Sequence, residues 1–130
     1  MKSVASKTKE QAMNPTQTYD SACFSFLVYE FTGDDPNETN TKIRRKLARS
    51  KLGKFDLERV QIIRSLKNEL LNEITKFQKS QFYVGPHGKY ADFADFDTGR
   101  MHTAYAEKYP TLDQEIPGFI GFAIYAYYLR

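Results

Sequence analysis

The sequence predicts a compact, mainly α-helical domain built along one long central helix at about residues 57–82. The main observation is that apolar residues recur there at spacings of three and four, the period of an amphipathic helix. This row consists of Val60, Ile63, Leu66, Leu70, Ile74 and Phe77. No Gly or Pro interrupts the run before Gly85, and Asp56 precedes it as a suitable N-cap. At about 1.5 Å per residue the helix would be about 40 Å long, so the rest of the chain is expected to pack along it.

Length and composition agree with a single packed domain. The chain has 130 residues, 41% of them hydrophobic and 15% aromatic, with ten Phe, nine Tyr and no Trp. Domains most often contain about 100–150 residues, and this apolar content is sufficient for a core. Residues 1–18 are rich in Lys, Ser and Thr and lack an apolar period. We therefore predict a disordered tail at 1–18 and a single globular domain at 19–130.

Two apolar stretches are compatible with either a helix or a strand. In residues 19–31, apolar side chains recur at the spacing of a helix face: Phe24, Leu27, Val28 and Phe31. Their residue types, and an alternation along every second position, favour a strand instead. The stretch 119–130 leaves the same choice open. The alternative to the helical fold is therefore an α+β domain in which residues 22–31 and 119–128 pair in a small sheet.

Local signals define the elements between these stretches. Residues 38–52 are predicted to form a helix that stops at Gly53. Residues 83–99 contain three Gly and one Pro, which predicts a loop. A short helix at 100–109 is expected to end at Pro110, because Pro cannot continue a helix.

The formal net charge of +3 is concentrated in one segment. Seven cations and no acid lie between Glu38 and Asp56, whereas all other residues together carry −4. We call these seven residues the basic block: Lys42, Arg44, Arg45, Lys46, Arg49, Lys51 and Lys54. On a helix they form a broad cationic face, which predicts an anionic partner. An acidic protein surface is the favoured partner, and nucleic acid is the alternative.

The aromatic residues exceed what a core of this size needs. We expect Phe24, Phe31 and Phe77 to fill the core. Two other clusters are predicted to be exposed and to anchor a partner, because Tyr and Phe bury large rigid faces at protein interfaces. The first aromatic cluster, at 90–96, consists of Tyr90, Phe93 and Phe96. The second lies in the aromatic stretch 119–128, where the tyrosines are the members expected to be exposed, and we use the name second aromatic cluster for Tyr125, Tyr127 and Tyr128.

Motifs for catalysis or metal binding are weak. Asp97-Thr98-Gly99 matches the tripeptide of aspartic proteases, but it follows no apolar strand, and a helix N-cap explains it better. His87 and His102 have no metal-ligand spacing, and nothing in the sequence brings either to Cys23. The single cysteine forms no disulfide framework. We therefore predict a non-enzymatic protein without a cofactor or a metal.

The predicted function is that of a small interaction module, such as an adaptor, an inhibitor or an assembly factor. It would dock through the basic block and the two aromatic clusters, and the alternative is a nucleic-acid-binding protein that uses the helix at 42–54. No apolar run reaches the roughly 18–20 residues of a membrane span, and no apolar N-terminal stretch resembles a secretion signal. A cytoplasmic protein without a transmembrane segment is therefore expected.

Overall fold

The structure is a computed structural model that describes residues 17–129, and it confirms the mainly α-helical class. Among these residues, five α-helices follow one another: α1 (Tyr19–Leu27), α2 (Pro36–Arg49), α3 (Leu57–Ile74), α4 (Thr98–Lys108) and α5 (Ile116–Ile124). A π-helix at Tyr125–Leu129 continues α5. Short 3₁₀ turns occupy Phe77–Lys79, Phe93–Asp95 and Pro110–Leu112.

The alternative fold with a small sheet is wrong. Residues 22–31 begin inside α1, and residues 119–128 lie in α5 and the π-helix. Within residues 17–129 the structure contains no β-strand, only an isolated antiparallel bridge. The two stretches do meet, but as helices, with the rings of Phe24 and Phe119 stacked at 4.2 Å between centroids. Helix packing therefore buries the same apolar side chains that a strand pairing would have buried.

Four of the helices have a short polar residue as their N-cap. Thr18, Asp35, Asp56 and Asp97 cap α1, α2, α3 and α4 respectively. Each accepts a hydrogen bond from a backbone N–H of the first turn at 2.9 to 3.3 Å. The N-caps predicted at Asp56 and at the Asp97 motif are confirmed. Pro117 lies in the first turn of α5, where the N–H that proline lacks is not needed.

The central helix begins where predicted but is shorter. α3 ends at Ile74 rather than near residue 82. The chain leaves the helix because Phe77 has a φ of 55°, in the left-handed region that a right-handed helix does not contain. The carboxylate of Glu73 accepts hydrogen bonds from the Ser80 hydroxyl and from the Gln81 N–H at 3.0 Å, which turn the chain back toward α3.

The predictions that Phe31 and Phe77 fill the core are wrong. Their side chains are 46% and 47% exposed. Phe31 lies beyond the end of α1 and Phe77 beyond the end of α3, so neither residue continues the buried face of its helix. Phe24, by contrast, lies within α1 and is buried as predicted.

α3 lies at the centre of the contacts between the helices. α3 packs against α1 and α5 and also contacts the π-helix. α2 packs on α1, and α4 packs on α5. The buried apolar side chains form one core, to which α2 contributes Ile43 and Leu47. Because this buried stripe is narrow, most of the surface of α2 faces outward at the edge of the fold.

The predicted disordered tail lies almost entirely outside the described residues. Of residues 1–18, the structure describes Gln17 and Thr18, and Thr18 is the N-cap of α1. The single globular domain at 19–130 stays a prediction. Within residues 17–129, none of the helices combines the length and the apolar character that a membrane span requires.

Candidate interaction surface

The basic block lies on α2 and on the segment that follows it. Ile43 and Leu47 form the buried stripe of the helix. Lys42, Arg45 and Arg49 are spaced at i, i+3 and i+7, so they form one row on the side of α2 away from that stripe. All three residues of this cationic row are exposed. The block therefore presents an ordered line of positive charge to solvent.

The remaining cations of the block flank the cationic row. The guanidinium of Arg44 lies over the ring of Phe55, 4.0 Å from its centroid, which is a cation–π contact. Lys46 is partly buried, whereas Lys51 and Lys54 are exposed in the segment that leads to α3. Arg44 is thus held in position, and the other cations are placed around it.

No carboxylate forms a direct ion pair with the basic block in the part of the chain that the structure describes. Every ion pair found between residues 17 and 129 involves other cations, so none of the seven has an Asp or Glu oxygen within 4.0 Å. The acidic turn at 34–38 precedes the block in sequence but makes no ion pair with it. The positive charges therefore remain available to an external anion.

The first aromatic cluster is divided between surface and core. Tyr90 is 78% exposed and Phe93 is 45% exposed. Phe96 is buried, and its ring lies edge-on to the rings of Tyr83 at 5.8 Å and Tyr128 at 5.0 Å. The prediction that Phe96 is exposed is wrong, because these contacts cover its ring.

The second aromatic cluster is also divided. Tyr125 is about half exposed. Tyr127 donates a hydrogen bond to the Val28 carbonyl at 2.6 Å, and Tyr128 donates one to the Asp95 carboxylate at 2.6 Å. The expectation that these two tyrosines project freely is wrong, because both are partly buried and use their hydroxyls within the molecule. Tyr125 is the exposed member of this cluster.

A buried carboxylate, which local sequence does not reveal, holds the base of the first cluster. Asp95 is 1% exposed and accepts hydrogen bonds from the His87 N–H at 2.9 Å and the Asp92 N–H at 3.2 Å. Its other contacts are the His87 Nδ1 at 3.2 Å and the Tyr128 hydroxyl. The Tyr128 hydroxyl, followed by His87, holds the pKa of Asp95 below its usual range. The loop that carries the first cluster is therefore fixed at its base.

A second buried ionic cluster connects the segment that follows α1 with α2 and α3. Arg64 donates hydrogen bonds to both carboxylate oxygens of Glu30, at 2.6 and 3.0 Å, and to Asn40 at 2.8 Å. Lys67 is 2% exposed and donates to the Glu30 backbone carbonyl at 2.5 Å. Burial alone would raise the pKa of Glu30, but hydrogen bonds from the side chains of Arg64 and Thr39 and the charges of Arg64 and Lys67 lower it. This cluster attaches α2 to the centre of the fold.

The residues considered for catalysis form no nucleophile–base pair in the described part of the chain. Cys23 is buried, and burial raises the pKa of its thiol to about 12, so the thiol stays protonated at neutral pH. His87 contacts Asp95, and the Nε2 of His102 contacts Asp113 at 2.9 Å. Between residues 17 and 129, neither ring is hydrogen-bonded to a hydroxyl or a thiol. No three His, Cys, Asp or Glu side chains in this range gather into a metal site.

Comparison with protein-family models, with curated proteins and with solved structures finds no match to this chain. The function is therefore inferred from the residues that face outward. Of these, the basic block on and after α2 and the exposed members of the two aromatic clusters, Tyr90, Phe93 and Tyr125, are the residues considered for docking.

Proposed function

We propose that the protein is a non-enzymatic interaction module that docks onto an acidic protein surface through the basic block. The observation that carries this proposal is the lack of any carboxylate partner for the seven cations within residues 17–129. Unpaired cations on one face create a positive potential, which attracts an acidic partner and fixes its orientation. An adaptor, an inhibitor and an assembly factor share this docking step.

The helix that carries the cationic row is held in place by contacts with the rest of the fold. The helix that carries Lys42, Arg45 and Arg49 is anchored through its apolar stripe and through the hydrogen bond from Arg64 to Asn40 at 2.8 Å. A surface that is already ordered loses less conformational entropy when it binds. The row is therefore suited to contact a partner without rearrangement of α2.

The exposed aromatic side chains supply the apolar contact area that the cations lack. Tyr90 and Phe93 lie on the loop fixed by Asp95, and Tyr125 begins the π-helix. Aromatic side chains carry a large share of the binding energy at many interfaces. We assign these three residues as anchors that add to the charge-based attraction.

Nucleic acid is the competing partner, since the same cations would contact phosphates. The segment 42–54 contains no aromatic residue on which a base would stack and no Asn or Gln to read base edges. These absences favour the acidic protein surface, and nucleic acid becomes one outcome of the test.

Replacing Arg45 and Arg49 together by glutamine is expected to weaken binding to poly-L-glutamate by about threefold to tenfold at low salt. Each exposed charge pair contributes about 0.2–1 kcal/mol, and the double variant removes two of the charges in the row. Fluorescence anisotropy at about 50 mM and about 300 mM salt measures the effect, which should shrink at the higher salt. Lys76→Gln combined with Lys79→Gln removes the same charge outside the block and should leave binding nearly unchanged.

Duplex DNA and single-stranded RNA of about 20 nucleotides are titrated beside poly-L-glutamate. The proposal would be overturned in favour of nucleic acid if the wild type bound a nucleic acid more tightly than poly-L-glutamate and the Arg45 and Arg49 double variant lost that binding. Equal affinity of the double variant and the wild type for poly-L-glutamate would show that the docking face is misplaced. An absence of binding to poly-L-glutamate at low salt would also contradict the proposal.

A further inference from the structure

A concave site that the proposed function does not use lies between the C-terminal end of α3 and α4. We call it the α3–α4 groove. Its apolar part is formed by the rings of Phe82 and Tyr105, whose centroids are 6.0 Å apart, beside Ala104. Glu69 and Glu73 line the groove from α3. The groove therefore combines an aromatic wall with two carboxylates.

One polar atom in the wall of the groove has no partner. Tyr105 is only 6% exposed, yet its hydroxyl makes no hydrogen bond to any residue between 17 and 129. The hydroxyls of Tyr109, Tyr127 and Tyr128, in contrast, each make a hydrogen bond at 2.5 or 2.6 Å. Buried tyrosine hydroxyls usually find a partner. An orphan hydroxyl in the wall of an open groove points to a partner from outside the chain.

The negative charges of the groove lie deeper than its positive charges. The side chains of Glu73 and Glu69 are 9% and 32% exposed, whereas their ion-pair partners Lys76 and Lys108 are 55% and 58% exposed. Burial, followed by the charges of the two glutamates, raises the pKa of the Tyr105 hydroxyl. The carboxylates therefore lie in the inner part of the groove beside the Tyr105 hydroxyl, and the lysines Lys76 and Lys108 that pair with them lie toward its rim.

Both carboxylates can accept a further hydrogen bond. Two carboxylate oxygens offer about four acceptor positions. Among the described residues, Glu69 accepts two hydrogen bonds, from the Lys108 Nζ at 2.6 Å and from the Tyr109 hydroxyl at 2.5 Å. Glu73 accepts three. Each glutamate therefore keeps at least one position for a donor that enters the groove.

We propose that the α3–α4 groove binds a primary alkylammonium group. Its N–H donors would bond to the Tyr105 hydroxyl oxygen and to the carboxylates of Glu69 and Glu73, while its alkyl chain would extend past Ala104. Within residues 17–129 the structure gathers no three ligands for a metal ion. A free alkylamine and the side chain of a peptide lysine share this chemistry.

The probes are n-butylammonium for the free amine and Nα-acetyl-lysine amide for the peptide side chain. NMR chemical-shift titration at the backbone amides of Ala104 and Gln81 reports binding in the groove. We expect dissociation constants in the millimolar range, which is typical of ligands with so few non-hydrogen atoms. Tyr105→Phe is expected to weaken binding about tenfold, because it removes a hydrogen bond to a charged group. Glu69→Gln is expected to have a similar effect.

Matched controls separate the groove from the rest of the surface. Tyr90→Phe and Glu58→Gln remove the same groups elsewhere and should leave amine binding unchanged. 1-Butanol and butyrate match the amine in shape and should bind at least tenfold more weakly. Thermal unfolding should show that Tyr105→Phe keeps the stability of the wild type, because the hydroxyl has no internal partner to lose.

Several outcomes would overturn the proposal. The first is that Tyr105→Phe and the wild type bind the amine with equal affinity. The second is that 1-butanol binds as tightly as n-butylammonium. The third is that the Ala104 and Gln81 amide signals do not shift at about 50 mM amine. Tighter binding of the lysine derivative would support the proposal and identify a peptide lysine as the ligand. Tighter binding of n-butylammonium would support it and identify a free amine.

Discussion

Replacing Glu30 by alanine is expected to lower the free energy of unfolding by about 3–5 kcal/mol, the usual effect of removing one partner from a buried ion pair. The substitution leaves two cations without their carboxylate in the interior, since the side chains of Arg64 and Lys67 are only 11% and 2% exposed. Neither cation regains much water while the fold persists, so each charge becomes an uncompensated buried charge. Urea denaturation followed by far-UV circular dichroism measures the loss.

Two comparisons identify the cause of that loss. Glu107→Ala removes an exposed carboxylate from α4 and should change the free energy of unfolding by less than about 0.5 kcal/mol. Glu30→Ala combined with Lys67→Met should cost less than the sum of the two single substitutions, because the second removes a charge that the first left unpaired. If the losses in unfolding free energy of the two single substitutions simply added in the double variant, Glu30 would not be offsetting the buried charge of Lys67.

The same carboxylate predicts how stability depends on pH. The pKa of Glu30 in the folded protein is below its ordinary value of about 4.3, so the unfolded chain binds more protons in the acid range. Its contribution to stability is therefore complete above about pH 5 and is lost as the pH falls through the folded-state pKa. The difference in unfolding free energy between the wild type and Glu30→Gln should shrink over that range. A difference that stays constant down to about pH 3 would argue against an ionised Glu30 in this cluster.

Phe24→Ala is the second substitution with a large expected effect, a loss of about 3–5 kcal/mol in the free energy of unfolding. The Phe24 ring is buried, stacks on Phe119 at 4.2 Å and meets the ring of Phe122 edge-on at 6.0 Å. Truncation opens a cavity where α1 meets α5 and also removes aromatic contacts worth about 0.5–1.5 kcal/mol each. The urea midpoint should fall without a change in the denaturant slope.

Phe93→Ala is the matched control for this prediction. It removes the same side chain from a position that is 45% exposed, so the expected loss is about 1 kcal/mol or less. Comparable losses in the two variants would contradict the central position of Phe24 in the contact between α1 and α5.

Signals that act over a few residues made part of the fold predictable. The start of α3 follows from Asp56 and the apolar row behind it, since an N-cap and a helical period are both local properties. The exposure of Arg45 and Arg49 follows in the same way, because α2 has a narrow apolar stripe and everything beside it must face outward. These features depend on the helix itself and need no knowledge of its neighbours.

Interactions between distant residues account for what sequence reasoning missed. Glu30 and Arg64 are 34 residues apart, so no periodic pattern connects them. Phe96 is buried by its contact with Tyr128, which belongs to the π-helix. In the sequence, however, Phe96 and the exposed Phe93 are both preceded by Ala and Asp, so the local sequence does not distinguish them. The end of α3 is likewise set by hydrogen bonds to Glu73 from residues beyond the helix. Tertiary contacts, and not local propensity, decide these positions.

The hydrogen bond between Tyr127 and Val28 has a consequence for the order of folding. It joins residues 99 positions apart, and the stack of Phe24 on Phe119 brings together the same two distant segments. Contacts of this kind close a long loop, which slows folding. During synthesis, α1 can pack on α2 and α3 as soon as they have been made, whereas its contacts with α5 and the π-helix form only after those segments follow. The native packing of α1 is therefore completed only once α5 and the π-helix have been made.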